Sequence, residues 1–299
     1  MIKPTSTPAI ALVFSLFACA AMLPGKVDMA QAHPHAHAQS KVQAHPQDRA
    51  QSQTQSHYQA VVKSALPRIA KVIDLTHVLN GNTPTFFAEK SKTFNYATLT
   101  KIEKDGFGSG AIKIPEHFGT HIDAPSHFIS GGKTIDKCDA QRFVLPALVI
   151  DVSKEVAKNP DYELTVEKIK EWEKNGEVGA GTAVLLSTRW QNRYGDPKRY
   201  RNIDAAGKRH SPGFSSAAVD YLVNKKHVYS LGIDTLSIDP GNSMLFSAHQ
   251  KALSGGAFLI ENLANLDKLP ARGSMLFCGP LPIEGGTGAP ARILATTFN

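Results

Sequence analysis

The chain has 299 residues, of which 42% are hydrophobic and 20% are charged, as in an ordinary globular protein. This length suits one large domain or two small ones and leaves enough chain to bury a hydrophobic core. The formal net charge is +7, but the sequence has no long basic tract. Composition therefore argues against a protein that binds nucleic acid.

The first 32 residues have the pattern of a secretory signal peptide. Lys3 makes the start positive, and residues 9–23 form an apolar run that is too short for a comfortable membrane span. Ala30-Gln31-Ala32 has the small side chains of a cleavage site. We expect cleavage after Ala32, a periplasmic or secreted protein, and no stable membrane insertion afterwards. A retained membrane anchor is the alternative.

Residues 33–57 are rich in His, Gln, Ala and Ser and hold almost no large apolar side chain. Such a segment cannot bury a core, so it is predicted to be a disordered linker. Its histidines offer a second hypothesis, in which the linker captures metal weakly for the rest of the protein. The globular domain is predicted to occupy residues 58–299.

Apolar periodicity in this domain predicts strands that alternate with helices, which is the pattern of the α/β class. One helix is predicted over 164–175, begun by Thr165 and stopped by Gly176, and another over 216–224. Strands are predicted at 70–75, 143–152, 182–188, 228–234 and 257–260.

A cluster of histidines with one aspartate lies in residues 115–128. His117, Gly119, His121 and Asp123 are each two residues apart, so a strand would place them on one face. Two imidazoles and one carboxylate on one face suit a transition metal such as Zn²⁺ or Mn²⁺. His127 follows Pro125, where the chain can turn back toward this face.

Residues 189–210 carry seven Lys or Arg side chains and two Asp side chains, a net charge of +5. Most of the charge excess of the predicted mature protein therefore lies in this one basic segment. It can attract an acidic substrate or product, or it can be a solvated loop or a contact between subunits. The sequence does not decide between these interpretations.

One motif resembles the signature of the metal-dependent cyclase superfamily, which includes bacterial kynurenine formamidases and isatin hydrolases. The motif reads His117-x-Gly119-Thr120-His121-x-Asp123-x-Pro125-x-His127-Phe128. Further blocks of similarity extend the resemblance over residues 70–299. It implies a swivelling β/β/α fold with a mixed sheet or barrel-like core, and a homodimer or homotetramer.

The resemblance also implies a site. His249 and Glu261 match the residues that complete a two-metal centre in the formamidases, so the implied metal ligands are His117, His121, Asp123, His249 and Glu261. One or two divalent ions, Zn or Mn, are expected. His127 matches the residue assigned to proton transfer. From local pattern, we expect His249 to come from a loop and Glu261 from the end of a strand.

In the formamidases a tryptophan near the start of the domain stacks on the aromatic substrate. This chain has Phe86 and Phe87 there instead, and both are candidate substrate-binding residues. Asp234 and Asp239 are expected to shape a loop and orient their neighbours. Cys138 and Cys278 are expected to be free thiols.

The implied function is metal-dependent hydrolysis of an amide bond in a small, aromatic molecule. The first substrate hypothesis is a linear N-formyl arylamine, as in an arylformamidase. The alternative is a cyclic amide or lactone, as in an isatin hydrolase. A third hypothesis, from another class, is a secreted metal-binding protein that uses its His-rich linker. The absence of a Gly-x-Ser-x-Gly sequence argues against a serine hydrolase.

Overall fold

A computed structural model describes residues 68–86 and 94–298 of the chain. The predicted signal peptide, the predicted linker and Phe87 lie outside these residues, so the hypotheses about them stay predictions. The described strands are β1 (Ile69–Asp74), β2 (Asn95–Thr100), β3 (Ser109–Lys113), β4 (His121–Asp123), β5 (Val144–Asp151), β6 (Glu163–Leu164), β7 (Ala183–Ser187), β8 (Gly213–Phe214), β9 (Ser230–Ile233), β10 (Phe258–Glu261), β11 (Ser274–Pro280) and β12 (Gly288–Phe298). The described α-helices are α1 (Ile102–Asp105), α2 (Ser153–Val156), α3 (Val166–Glu173), α4 (Pro197–Arg201), α5 (Ser216–Asp220) and α6 (Ser247–Ser254).

Eight strands form one mixed sheet in the order β1-β12-β11-β5-β7-β9-β10-β4. An additional pairing between β12 and β4 closes seven of these strands into a barrel. The eighth strand, β1, lies at the end of the strand order and pairs with β12. The neighbours β5, β7, β9 and β10 run parallel, whereas the remaining pairs around the ring are antiparallel. The sequence-based prediction of an α/β fold with a mixed, barrel-like core is confirmed.

The strands of the barrel wall separate two hydrophobic clusters. In β7, Ala183 and Leu185 belong to one cluster, and Val184 and Leu186 belong to the other. Because successive side chains of a strand point to opposite faces, one cluster fills the barrel and the other lies outside it. All five residues of β7 are buried, which explains why this strand reads as a continuous apolar run.

Helices cover the outer cluster, as their apolar spacing requires. Thr165 caps α3 by accepting a hydrogen bond from the backbone N–H of Lys168, and Ile169 is buried beneath the helix. Helix α5 continues into a π-helical turn, Tyr221–Lys225. The two helices are therefore confirmed close to their predicted bounds.

Strands β2 and β3 form a hairpin that does not pair with the barrel sheet. Most of its side chains are exposed, and Tyr96, Leu99 and Ile112 are 61%, 64% and 56% exposed. Such an unsupported hairpin is at best marginally stable in water. Within the part of the chain that the structure describes, the apolar side chains of this hairpin are left exposed to solvent.

The remaining expectations concern cysteines and membrane association. Cys138 and Cys278 are both free, as predicted. Within residues 68–86 and 94–298, the helices are too short or too polar to cross a membrane.

Candidate metal centre

The short strand β4 is the central part of the recognised sequence motif and forms part of the barrel wall. It lies between β10 and β12 and pairs antiparallel with both. In this register His121 is directly opposite Glu261 on β10, as the prediction of a strand-end Glu261 requires. Residues directly opposite each other point to the same face, so the register brings an imidazole and a carboxylate together.

The prediction of one strand through residues 117–123 is wrong in its first half. Only residues 121–123 form a strand, and Gly119 has a φ of +64°, in the left-handed region that favours glycine. A Cβ at Gly119 would also lie 2.2 Å from the side chain of Leu79. His117 therefore reaches the site from a loop, where its Nδ1 lies 2.6 Å from Asp123 Oδ1.

His249 lies on helix α6, so the prediction that it comes from a loop is wrong. The helix starts directly after Phe246, whose φ is +49°, and ends at Gly255. The local pattern predicted only a short helical piece before Gly255, and it did not indicate that the helix begins early enough to include His249. The Nε2 atom of His249 lies 3.1 Å from Glu261 Oε1 and 3.4 Å from Asp123 Oδ2.

The other nitrogen of each buried histidine is held by the protein. His249 Nδ1 donates to Asp239 Oδ2 over 2.6 Å, and the backbone N–H groups of Ala248 and His249 donate to the same carboxylate. Asp239 thus orients its neighbour, as expected. His121 Nδ1 donates to the carbonyl of Gly119 over 2.8 Å. Metal-binding histidines are typically fixed by such hydrogen bonds on the nitrogen that does not bind metal.

The carboxylates give the buried centre a strong negative potential. Burial lowers the pKa of His121, but Asp123 and Glu261 outweigh it and raise this pKa to about 9. Burial likewise opposes charge on His249, but hydrogen bonds to Asp123, Asp239 and Glu261 raise its pKa well above the usual value. Burial raises the pKa of Asp123, whereas the surrounding histidines hold it well below its usual range. A cation at this position would meet the same attraction.

Among the residues that the structure describes, two groups of donor atoms could hold a metal ion, and both include Asp123. In each group the donor atoms lie within 4.8 Å of one another. The first group consists of His117, Asp123 and His127, and the second consists of His121, Asp123 and Glu261. Buried histidines with their Nδ1 atoms occupied, facing ionised carboxylates, fit a divalent transition metal. His249 lies beside the second group through its contacts with Asp123 and Glu261.

His127 lies at the end of a short 3₁₀ turn, Pro125–His127. Its ring stacks on that of His117 with 3.8 Å between centroids. Burial lowers the pKa of His127 to about 4, with Asp123 opposing this and the other histidines adding to it. The structure therefore places His127 beside the predicted ligands, as a member of the first donor group.

A cavity of about 430 Å³ opens over these side chains. Its walls include the predicted substrate-binding residue Phe86 and three phenylalanines that we did not predict, Phe118, Phe128 and Phe246. Because Phe128 belongs to the recognised motif, the sequence could have indicated that it lies near the site. Phe246 belongs to no periodic apolar pattern in the sequence. It reaches the cavity because it lies at the turn that begins α6. Cavities of this size and apolar character suit small organic molecules.

The arginine side chains of the basic segment make different kinds of contact. Arg189 forms ion pairs with Asp151 and Asp267, and the guanidinium of Arg193 stacks on the ring of Trp190. Arg209 instead contacts Phe86, one of the residues that line the cavity. The segment's side chains are not themselves part of the cavity wall.

The fold and the donor cluster together define a mixed-barrel protein with a candidate metal centre beside an aromatic-lined cavity. The chain belongs to the cyclase family: the family model Cyclase, described as "Putative cyclase", matches residues 73–240. The family membership predicted from the sequence is thereby confirmed.

Similar proteins fall in the two groups that the sequence motif suggested. An isatin hydrolase from Roseibium aggregatum is 40% identical over 242 residues, which cover 75% of this chain and 91% of that protein. A kynurenine formamidase from Geobacillus thermodenitrificans is 30% identical over 222 residues, which cover 74% and 94%. The crystal structure of an isatin hydrolase bound to the product analogue thioisatinate matches with a TM-score of 0.72 and 37% identity, covering 84% of this chain and 99% of that one.

Proposed function

We propose that the chain is a metal-dependent hydrolase of an amide bond in a small aromatic molecule, and that this amide is cyclic. The observation that carries the proposal is the position of the aromatic-lined cavity directly above the buried cluster of His121, Asp123, His249 and Glu261. The relatives discussed above include an isatin hydrolase at higher identity than a kynurenine formamidase. This difference favours the cyclic over the linear amide.

The five predicted ligands, His117, His121, Asp123, His249 and Glu261, would hold one or two divalent ions, with Zn and Mn as the candidates. When bound, such an ion polarises an amide carbonyl and activates water for attack. Asp123 is placed to serve both donor groups. Asp239 and the Gly119 carbonyl keep the His249 and His121 rings oriented through their Nδ1 atoms.

His127 would move the protons of the reaction. The attacking water must lose a proton, and the amide nitrogen must gain one as its bond to carbon breaks. His127 lines the cavity and lies next to the ligands, where one imidazole can do both. Phe86, Phe128 and Phe246 would hold the aromatic ring of the substrate.

A direct comparison of substrates tests the proposal. Metal-loaded protein should hydrolyse isatin with a kcat/KM at least about tenfold above that for N-formylkynurenine, and exhaustive chelation should abolish both activities. Elemental analysis of the same sample should give between one and two metal ions per chain. Faster hydrolysis of N-formylkynurenine would select the linear amide, and failure with both compounds would contradict the proposal.

Two further properties are proposed on separate grounds. The basic segment would attract substrates or products that carry negative charge, because it has a net charge of +5 and its Arg209 contacts Phe86 in the cavity wall. Export follows from residues 1–32 and would be checked by the intact mass of the mature protein, with His33 expected at its start.

We also propose a homodimer or homotetramer in which the β2–β3 hairpin contacts a second copy. Its exposed Tyr96, Leu99 and Ile112 form the kind of apolar surface that marks a protein interface. Light scattering should give a mass two or four times that of one chain. Leu99→Asp combined with Ile112→Asp should lower this mass, whereas an unchanged mass would place the interface elsewhere.

A further inference from the structure

Arg209 makes two contacts with a single residue of the cavity wall. Its guanidinium carbon lies 3.7 Å from the centroid of the Phe86 ring, and its Nη2 atom donates a hydrogen bond to the Phe86 carbonyl. One contact fixes the side chain of Phe86 and the other fixes its backbone. One arginine from the basic segment therefore restrains both the side chain and the backbone of Phe86.

The guanidinium lies behind the ring as seen from the cavity. A carbon 3.7 Å from a ring centroid must lie over a face of the ring, because a contact at the ring edge would be longer. Phe86 lines the cavity, whereas Arg209 is not one of the lining residues. The arginine thus supports this part of the wall from outside the cavity.

Phe86 is the outer member of a row of aromatic contacts that leads to the candidate metal centre. Its ring centroid lies 5.8 Å from that of Phe246, which in turn lies 5.5 Å from Phe128. Phe128 lies 4.8 Å from the ring of His249. A displacement of Phe86 would therefore change the shape of the cavity along its whole aromatic side.

The environment of Arg209 makes this contact strong. Its Nε atom is buried and has no hydrogen-bond partner among the described residues, and burial lowers the pKa of the guanidinium to about 10. The side chain remains charged at neutral pH. Glu261 favours the charge, and the Phe86 ring adds to this, because attraction between a cation and an aromatic face grows as both are removed from water.

We infer that Arg209 is a positioning residue that holds Phe86 as the rear wall of the substrate cavity and thereby selects aromatic substrates. This inference rests on the proposed function. Because Arg209 acts on ring placement and not on the reacting atoms, its loss should weaken substrate binding more than turnover. Its effect should also require the Phe86 ring.

A double-mutant cycle tests the inference. Arg209→Gln should raise KM for isatin about tenfold, within the range set by desolvated cation–π contacts, and leave kcat within about twofold. In a Phe86→Leu background the same substitution should change KM by less than about twofold, because the ring through which Arg209 acts is gone. Arg209→Lys should restore part of the affinity, since it keeps the charge but loses the planar guanidinium.

Arg193→Gln is the matched control. Arg193 belongs to the same segment and stacks on Trp190 at the same 3.7 Å, but Trp190 does not line the cavity. This control should leave KM unchanged. The inference would be overturned if Arg209→Gln changed KM equally in both backgrounds, or if Arg193→Gln changed KM as much as Arg209→Gln does. Either result could be obtained while the wild type still hydrolyses isatin. A wild type that neither hydrolyses nor binds isatin would overturn the proposed function, and the inference with it.

Discussion

Asp123→Asn should remove bound metal and lower kcat/KM by at least roughly 10³-fold, because losing even a single transition-state-stabilising donor costs about 10²–10³-fold. Asp123 is 1% exposed and is common to both groups of donor atoms. Its oxygens lie 2.6 Å from His117 Nδ1 and 3.2 Å from His121 Nε2. An asparagine would keep the shape of the side chain but lose the charge, so metal content by elemental analysis is the measurement.

The same substitution should destabilise the metal-free protein. Without the Asp123 carboxylate, the buried rings of His121 and His249 lose part of the negative charge that favours their protonated forms. Breaking one partner of a buried charge pair costs about 3 kcal/mol in the free energy of unfolding, measurable by urea denaturation. Asp74→Asn is the control, because its ion pair with Arg292 lies at the surface and contributes little. Full metal content in Asp123→Asn would contradict the assigned ligand set.

His127→Ala should keep the metal and the fold while kcat falls by roughly 10²–10⁴-fold, the usual span for general acid–base catalysis. The ring lies against His117 in the cavity wall, and its truncation removes the group that would move protons. Metal content and kcat should be measured on the same preparation, because one of the donor groups also includes His127.

His210→Ala provides the comparison for this prediction. His210 is a partly exposed histidine whose two nitrogens contact Asp161 and Asp204, away from the cavity. Its loss should leave kcat unchanged. If His127→Ala instead loses metal in proportion to activity, then His127 is a ligand and another group must transfer the protons.

The barrel strands could be predicted because burial on both faces leaves a clear trace in the sequence. The run from Ala183 to Ser187 and the capped helix α3 were recognised from such local patterns. The candidate ligands His117, His121 and Asp123 were predicted because they are close in sequence and resemble a known motif. In each of these cases, the relevant information lies within about a dozen residues.

What could not be predicted depends on long-range packing. The left-handed turn at Gly119 ends any continuous strand, because the side chain of Leu79, 40 residues away in sequence, fills the space beside it. Helix α6 starts from a strained Phe246 that local pattern does not reveal. The convergence of His249 and Glu261 on Asp123 was predicted from family resemblance alone, since Glu261 reaches the site through the register of β10 with β4 and His249 through helix α6.

The position of β4 also determines when the metal site can come into existence. His121 is paired with Glu261 on one side and with Pro290 on the other, so its strand is seated only when two much later segments of the chain are in place. A slip of one residue would turn His121 to the opposite face, away from Glu261. Contacts of such sequence separation form slowly, and a nascent chain on the ribosome that lacks residues 258–290 cannot assemble the site. Under the proposed function, metal loading is therefore a late step that follows the closure of the barrel.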